Sequence, residues 1–178
     1  MAGAARASDR IDWGVETLDI RPGSRVLEIG SGHGVALTLV AARLEDGQVT
    51  GVDRSGKMLT AAAKRNATAI EAGRVRLVHG SWPDLDEVLP GEGLFSHIFA
   101  IHVPLFRERP DDCNATIRRL LAPGGTLSVI AQPLADADVE PWVEATTTAM
   151  NAAGFHTLPP LISAHQPVRT ACVRARVD

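Results

Sequence analysis

Short runs of apolar residues alternate along the chain with stretches in which apolar residues recur at every third or fourth position. The runs have the length of buried strands, whereas the spaced stretches have the period of one helix face. The strand-like runs cover residues 26–29, 49–52, 75–78, 97–101, 126–131, 157–162 and 170–177. Because strands and helices alternate, the chain is predicted to be α/β with a doubly wound, mostly parallel sheet.

Capping and turn residues set the expected ends of the helices. Asp9 is a candidate cap for a helix within the first 20 residues, and Ser55 for a helix that runs to Ala72. A later helix carries apolar residues at 117, 120 and 121 and should end at the Pro123-Gly124-Gly125 turn. The last two strand-like runs are joined by about seven residues. That loop is too short for a parallel crossover, so these two strands should be antiparallel.

The segment VLEIGSGHG, residues 26–34, predicts a strand, a tight glycine turn and the start of a helix. Glycine allows another molecule to approach the backbone closely, and the helix that follows directs unpaired amide groups toward the turn. Asp53 closes the next apolar run, nineteen residues after Gly34. A carboxylate in that position is suited to accept hydrogen bonds from a ribose diol. The pattern therefore indicates a nucleotide-cofactor site.

The spacing of the glycines bears on which cofactor is bound. A dinucleotide-binding turn needs its third glycine at position 35, where this chain has valine. The chain also has no tyrosine for a Tyr-Lys hydride-transfer pair. Both observations disfavour a nicotinamide-dependent oxidoreductase, which stays as an alternative.

Composition limits the remaining classes. The 178 residues suffice for one domain, and a net charge of −3 does not favour general binding of nucleic acid. The two cysteines, Cys113 and Cys172, are isolated, and the histidines show no metal-ligand spacing, so no metal site is predicted. There is no signal-peptide pattern and no apolar stretch of about 20 residues, so the expectation is a cytoplasmic protein without a membrane segment.

Five segments resemble, in their usual order, the motifs of class I S-adenosylmethionine-dependent methyltransferases. They are VLEIGSGHG, GVDRSGKML, VHGSWPDL, FSHIFAIHVP and LLAPGGTLSVI. The resemblance implies a Rossmann-like, seven-stranded sheet, mostly parallel with an antiparallel last strand and helices on both faces. It implies one methyltransferase-like domain over 1–178, with a cap helix in 1–20 and the core in 21–178. The implied cofactor is S-adenosylmethionine, which leaves as S-adenosylhomocysteine.

The resemblance also assigns candidate cofactor residues. The methionine part would lie against Gly30, Ser31, Gly32 and Gly34, with Glu28 beneath this loop. Asp53 would hold the ribose, with Arg54 and Met58 beside the adenosine. The set is completed by Gly80, Ser81, Trp82 and Ile101.

The third motif departs from the family pattern. Such enzymes often have aspartate after the glycine to accept a hydrogen bond from the adenine amino group, and this chain has Ser81. A neutral acceptor makes a weaker hydrogen bond than a charged one. Trp82 could compensate by packing on the ring, or Asp84 could supply the carboxylate.

His102 is the candidate general base, because histidine suits proton transfer at neutral pH and this residue follows the fourth strand-like run. The alternative is that His102 only shapes the pocket. His97, five residues earlier, should point to the opposite face of the sheet and have a structural role.

The acceptor is expected to be a small molecule, apolar or aromatic in character. Large apolar residues that could line its pocket are Trp13, Leu105, Phe106 and Trp142. The alternatives are a methyltransferase-like protein that binds cofactor without turnover and acts as a partner module, and methylation of a macromolecule. The oligomeric state is left open, with a homodimer as one option.

Overall fold

A computed structural model describes residues 7–91, 93–105, 110–165 and 167–177 of the chain. The helices are α1 Ala7–Glu16, α2 Val35–Ala41, α3 Gly56–Arg65, α4 Ala67–Glu71, α5 Leu85–Val88, α6 Pro110–Leu120 and α7 Val139–Ala152. The strands are β1 Arg25–Ile29, β2 Gln48–Asp53, β3 Val75–His79, β4 Phe95–Ile101, β5 Leu121–Ala131, β6 His156–Thr157, β7 Leu161–Ile162 and β8 Ala171–Arg176. Short 3-10 turns precede α5 and α7.

All these strands form one sheet, in the order β3-β2-β1-β4-β5-β8-β6, with β7 also paired to β8. β1 to β5 are parallel, and β8 runs antiparallel to β5, β6 and β7. The strand order reverses between β1 and β4, which lie side by side with Leu27 opposite Ile98. A reversal of this kind opens a crevice at the carboxyl ends of the strands, where ligands bind in doubly wound sheets.

Alternation along each strand divides the core into two layers. Val26, Phe99 and Ile130 face one side, together with apolar residues of α1, α2 and α4. Leu27, Ile98 and residues of α5, α6 and α7 fill the other side. The α/β class, the mostly parallel sheet, the antiparallel strand and the helices on both faces are therefore confirmed.

The helix predicted from Ser55 to Ala72 is divided. Ser55 does cap α3, since its hydroxyl accepts the Met58 amide at 3.3 Å, but α3 ends at Arg65 and α4 begins at Ala67. The break falls on Asn66, which is only 3% exposed and makes tertiary hydrogen bonds. Asp9 is not an N-terminal cap, because α1 already begins at Ala7 and Asp9 lies in its first turn.

The run predicted as one strand at 157–162 forms two short strands, β6 and β7, so the sheet has eight strands and not the expected seven. Pro159 and Pro160 lie between them and have no amide hydrogen to contribute to a strand ladder. Leu121, expected at the end of a helix, instead begins β5 and pairs with Phe95. Within the described residues, no helix combines the length and apolar character needed to cross a membrane.

Candidate active site

The glycine loop joins β1 to α2 across the reversal point of the sheet. Its backbone is tied to β2, because the amides of Gly30 and Ser31 donate to the Val52 carbonyl at 2.8 and 3.0 Å. Gly34 begins α2 with φ at 74°, in the left-handed region that favours glycine. A Cβ there would come within 2.6 Å of the Asn66 amide nitrogen. The local geometry therefore requires glycine at this position.

Asp53 connects this loop to the start of α3. Its carboxylate accepts the Gly32 amide through Oδ2 at 2.7 Å and the Ser55 amide through Oδ1 at 2.8 Å. A carboxylate has about four lone-pair sites, so two acceptor positions remain for hydroxyl donors. The half-buried side chain thus presents free acceptor capacity at the end of β2.

Asn66 fixes the other side of the loop and was not foreseen from the sequence. Its side-chain nitrogen donates to the carbonyls of Gly34 and Ala62, each at 3.0 Å, and its oxygen accepts the Thr38 hydroxyl at 2.8 Å. The only indication in the sequence was that an asparagine, which has a poor helix propensity, lay inside a predicted helix. Only the fold shows which partners it meets.

A pocket of about 530 Å³ lies at the carboxyl ends of β1, β2 and β4. Eight of the predicted site residues line it together: Gly30, Asp53, Arg54, Gly80, Ser81, Trp82, Ile101 and His102. Glu28, Ser31, Gly32, Gly34 and Met58 do not line this pocket, although Gly32 is bonded to Asp53. Ile29, Val52, Val103 and Pro104 complete the wall.

Ser81 is hydrogen-bonded to Asp84, the carboxylate that the sequence suggested as an alternative to Ser81 for binding adenine. The Ser81 hydroxyl donates to Asp84 Oδ2 at 2.7 Å, and the Asp84 amide donates back to the Ser81 carbonyl at 3.0 Å. Ser81 lines the pocket, whereas Asp84 does not. A hydroxyl that donates to a carboxylate becomes a better hydrogen-bond acceptor.

Glu28 is buried beneath the loop, beside Gly51 of β2, with 3% of its surface exposed. Burial, and then the negative charge of Asp53, raises the pKa of the Glu28 carboxyl well above its usual value. Its Oε2 atom and the Ser31 hydroxyl have no hydrogen-bond partner among the described residues. The loop therefore lies over unsatisfied polar atoms, as is common where a polar ligand binds.

His102 follows β4 with φ at 57°, the only residue other than glycine with positive φ in the described part of the chain. Its amide donates to the Ile130 carbonyl at 2.9 Å, which holds this backbone conformation. Partial burial of the ring, and then the positive charge of Arg10, lowers the pKa of His102 below its usual value. The lowered pKa favours the neutral imidazole, which is the form that can accept a proton.

A second pocket, of about 600 Å³, adjoins the first and shares with it His102, Val103 and Pro104. Its walls come from the segment after β5 and from α7, including Pro133, Leu134 and Trp142. Gln132, Asp138 and the buried Thr146 add polar groups.

The four large apolar residues that were expected to line an acceptor pocket do not lie together. Trp142 lines the second pocket, whereas Leu105 is buried in the core and Trp13 packs against the other layer. Phe106 lies outside the described residues.

Comparisons of the sequence and of the structure show which known proteins this chain resembles. A family model described as a methyltransferase domain matches residues 26–125, more than half of the chain. The chain is 27% identical over 169 residues to the uncharacterized methyltransferase YdaC of Bacillus subtilis (strain 168), covering 92% of this chain and 89% of that protein.

Solved structures agree with this match. A SAM-dependent methyltransferase from Aquifex aeolicus superposes with a TM-score of 0.75 at 17% identity, over 94% of this chain and 89% of the other. Aeropyrum pernix fibrillarin with natively bound S-adenosyl-L-methionine gives a TM-score of 0.72 at 14% identity, over 89% and 69%. The glycine loop, Asp53 and the pocket between them fit that cofactor. The chain belongs to the class I S-adenosylmethionine-dependent methyltransferases and is an enzyme of that family.

Proposed function

We propose that this enzyme methylates a small, largely apolar molecule held in the second pocket, with His102 as the general base. The observation that carries the proposal is that the two pockets meet at residues 102–104. A cofactor in the first pocket and an acceptor in the second would face each other across this segment. Methyl transfer depends mainly on such alignment, because S-adenosylmethionine supplies an already activated methyl group.

The cofactor roles in the proposal follow the arrangement of the first pocket. Asp53 accepts hydrogen bonds from the ribose hydroxyls, and Ser81 accepts one from the adenine amino group. Trp82 packs against the adenine ring. Arg54 and Met58 are assigned to the adenosine, although only Arg54 lines the pocket, and Gly80 and Ile101 form part of its wall. The backbone of Gly30, Ser31, Gly32 and Gly34, above Glu28, holds the methionine part.

His102 has the properties of a base for an acceptor that begins protonated. It lines both pockets, and its lowered pKa favours the neutral form that a general base requires. Bound S-adenosylmethionine would supply the methyl group to the acceptor atom and leave as S-adenosylhomocysteine, and His102 would take up the acceptor proton. General bases of this kind contribute about 10²- to 10⁴-fold to rates.

The second pocket suits an apolar body with a few polar groups. Its volume of about 600 Å³ falls within the range of small-molecule sites. Leu134 lines the pocket and is fully exposed, so its side chain is free to pack against an apolar acceptor. A buried free thiol at Cys172 is compatible with a reducing compartment, and a cytoplasmic activity is part of the proposal.

The proposal is tested by methyl transfer from labelled S-adenosylmethionine to a cell extract separated into low-molecular-mass, RNA and protein fractions. Label should appear in the low-molecular-mass fraction. Label found only in RNA or protein would refute the small-molecule acceptor, and no label in any fraction would favour a protein that binds cofactor without turnover.

Two exposed leucines provide a matched pair of variants for the acceptor pocket. With the acceptor so identified, Leu134→Ser should raise its KM about fivefold by removing roughly 1 kcal/mol of apolar contact. Leu94→Ser is the control, because Leu94 is 45% exposed and lines neither pocket. Equal KM values for the two variants would exclude the second pocket as the acceptor site.

A further inference from the structure

A third cavity, of about 410 Å³, lies at the opposite edge of the sheet, where the parallel strands begin. We call it the basal pocket. It is bounded by the segment after α1, the starts of β4 and β5, and the end of β8. It shares no lining residue with the two pockets described above. Its volume is also within the range of small-molecule sites.

The floor of the basal pocket is the polar part of one face of β4, β5 and β8. His97 is opposite Thr126, and Ser128 is opposite Arg174, so alternation directs these four residues and Arg176 to one face. Farther along the same strands, that face carries Phe99, Ile130 and Cys172 in the core. α1 covers this apolar part and ends at Glu16, before the polar part begins.

Positive charge predominates in the basal pocket. Arg21, Arg174 and Arg176 line it, and Asp19 is the only acidic lining residue within the described part of the chain. Asp19 pairs with Arg21 at 3.4 Å, but both side chains are about four-fifths exposed, so the pairing is weak. This clustering stands out in a chain whose net charge is −3.

The arginines of β8 keep free donors. One terminal nitrogen of Arg174 donates to the Pro159 carbonyl at 3.3 Å, which orients the guanidinium. Its Nε atom is buried and has no acceptor among the described residues. The exposed Arg176 makes no ion pair with a described residue. A buried unpaired donor such as Arg174 Nε costs free energy, and a bound anion could accept from it and from the exposed Arg176 guanidinium.

We propose that the basal pocket binds a small anion that carries a phosphate or carboxylate group. Arginine recognises both groups through paired N–H donors, and the hydroxyls of Thr126 and Ser24 add neutral donors. The anion would be bound independently of the methyl-transfer site, since the two lie at opposite edges of the sheet. The proposal does not depend on the identity of the methyl acceptor.

The test is calorimetric titration of the full chain with pyrophosphate and with citrate, at constant ionic strength, with and without saturating S-adenosylhomocysteine. At least one probe should bind with one-to-one stoichiometry, and S-adenosylhomocysteine should not displace it. Binding of pyrophosphate alone indicates a phosphorylated ligand, and binding of citrate alone indicates a carboxylate ligand. Failure of both probes, or displacement by S-adenosylhomocysteine, would overturn the proposal.

Charge variants separate a specific site from general electrostatic attraction. Arg176→Gln should weaken binding of the probe about tenfold, because it removes charge-assisted hydrogen bonds. Lys64→Gln removes the same charge from the exposed last turn of α3 and should have no effect. Arg21→Gln, at a side chain that is 79% exposed, is a second variant if the first does not fold. Equal weakening by Lys64→Gln would refute a specific site.

Discussion

Asp53→Ala tests the link between the glycine loop and cofactor binding. The substitution removes both hydrogen bonds that the carboxylate accepts, from the Gly32 amide at 2.7 Å and the Ser55 amide at 2.8 Å. It also removes the proposed acceptor for the ribose diol. Two separate losses are therefore expected, one in the stability of the native protein and one in cofactor affinity.

The magnitudes follow from the hydrogen bonds involved. A hydrogen bond to a charged group is worth about 1.5–3 kcal/mol, and less where it is partly exposed to water. The two loop bonds of the half-buried Asp53 should thus lower the free energy of unfolding by about 2 kcal/mol. Loss of two ribose hydrogen bonds should cost about 3 kcal/mol of binding free energy, which is more than a hundredfold in Kd.

Titration with S-adenosylhomocysteine, together with urea denaturation, separates the two losses. Glu71→Ala is a control, because it removes an exposed carboxylate at the end of α4 that lines no pocket. An Asp53→Ala protein that remains folded and binds S-adenosylhomocysteine as tightly as the wild type would refute the role of Asp53.

Three further substitutions test the site. His102→Ala should lower kcat about a hundredfold and change the affinity for S-adenosylhomocysteine less than threefold, since a general base acts on the chemical step. In the wild type, the free energy of unfolding should fall as the pH rises because of Glu28, and Glu28→Gln should make this fall less steep. The buried Glu28 carboxyl, whose pKa is raised, keeps its proton in the native state, whereas the unfolded chain releases it above about pH 4.5. Asn66→Ala should lower the free energy of unfolding by about 2 kcal/mol and weaken cofactor binding, because it removes the three side-chain hydrogen bonds that link Asn66 to Gly34, Ala62 and Thr38.

Each of these three substitutions has its own control or its own result that would contradict the prediction. His102→Gln should not restore turnover, because an amide cannot take up the proton, and restoration by glutamine would show that the ring only shapes the pocket. For Glu28 the measured quantity is the slope of stability against pH between about 5 and 8, which one group can change by at most about 1.4 kcal/mol per unit. Glu45→Gln, which removes an exposed carboxyl, is the matched control. Unchanged cofactor affinity in Asn66→Ala would mean that the loop keeps its shape without the side chain.

Features encoded by neighbouring residues were predictable from the sequence. The alternation of strands and helices, the Ser55 cap and the glycine turn depend on spacing and backbone conformation within short segments. The antiparallel final strand followed from a short loop. The family match shows that valine at position 35 correctly disfavoured a nicotinamide-dependent enzyme.

Features that depend on contacts between distant residues were not predictable in the same way. The break at Asn66 exists because its side chain binds Gly34 and Thr38, about 30 positions away. The positive φ of His102 is held by the carbonyl of Ile130. Similarly, the pairing of Ser81 with Asp84 and the meeting of two pockets at residues 102–104 require the folded arrangement.

The hydrogen bonds of Asp53 have a consequence for regulation. The carboxylate and the Gly32 amide are joined by a hydrogen bond of 2.7 Å, which fixes the loop relative to the end of β2. In the proposed binding mode these groups contact ribose and amino-acid portions, which the loss of a methyl group leaves unchanged. S-adenosylhomocysteine should then compete with S-adenosylmethionine at comparable affinity. The enzyme is thus expected to be subject to product inhibition, so its rate in the cell would follow the ratio of the two compounds.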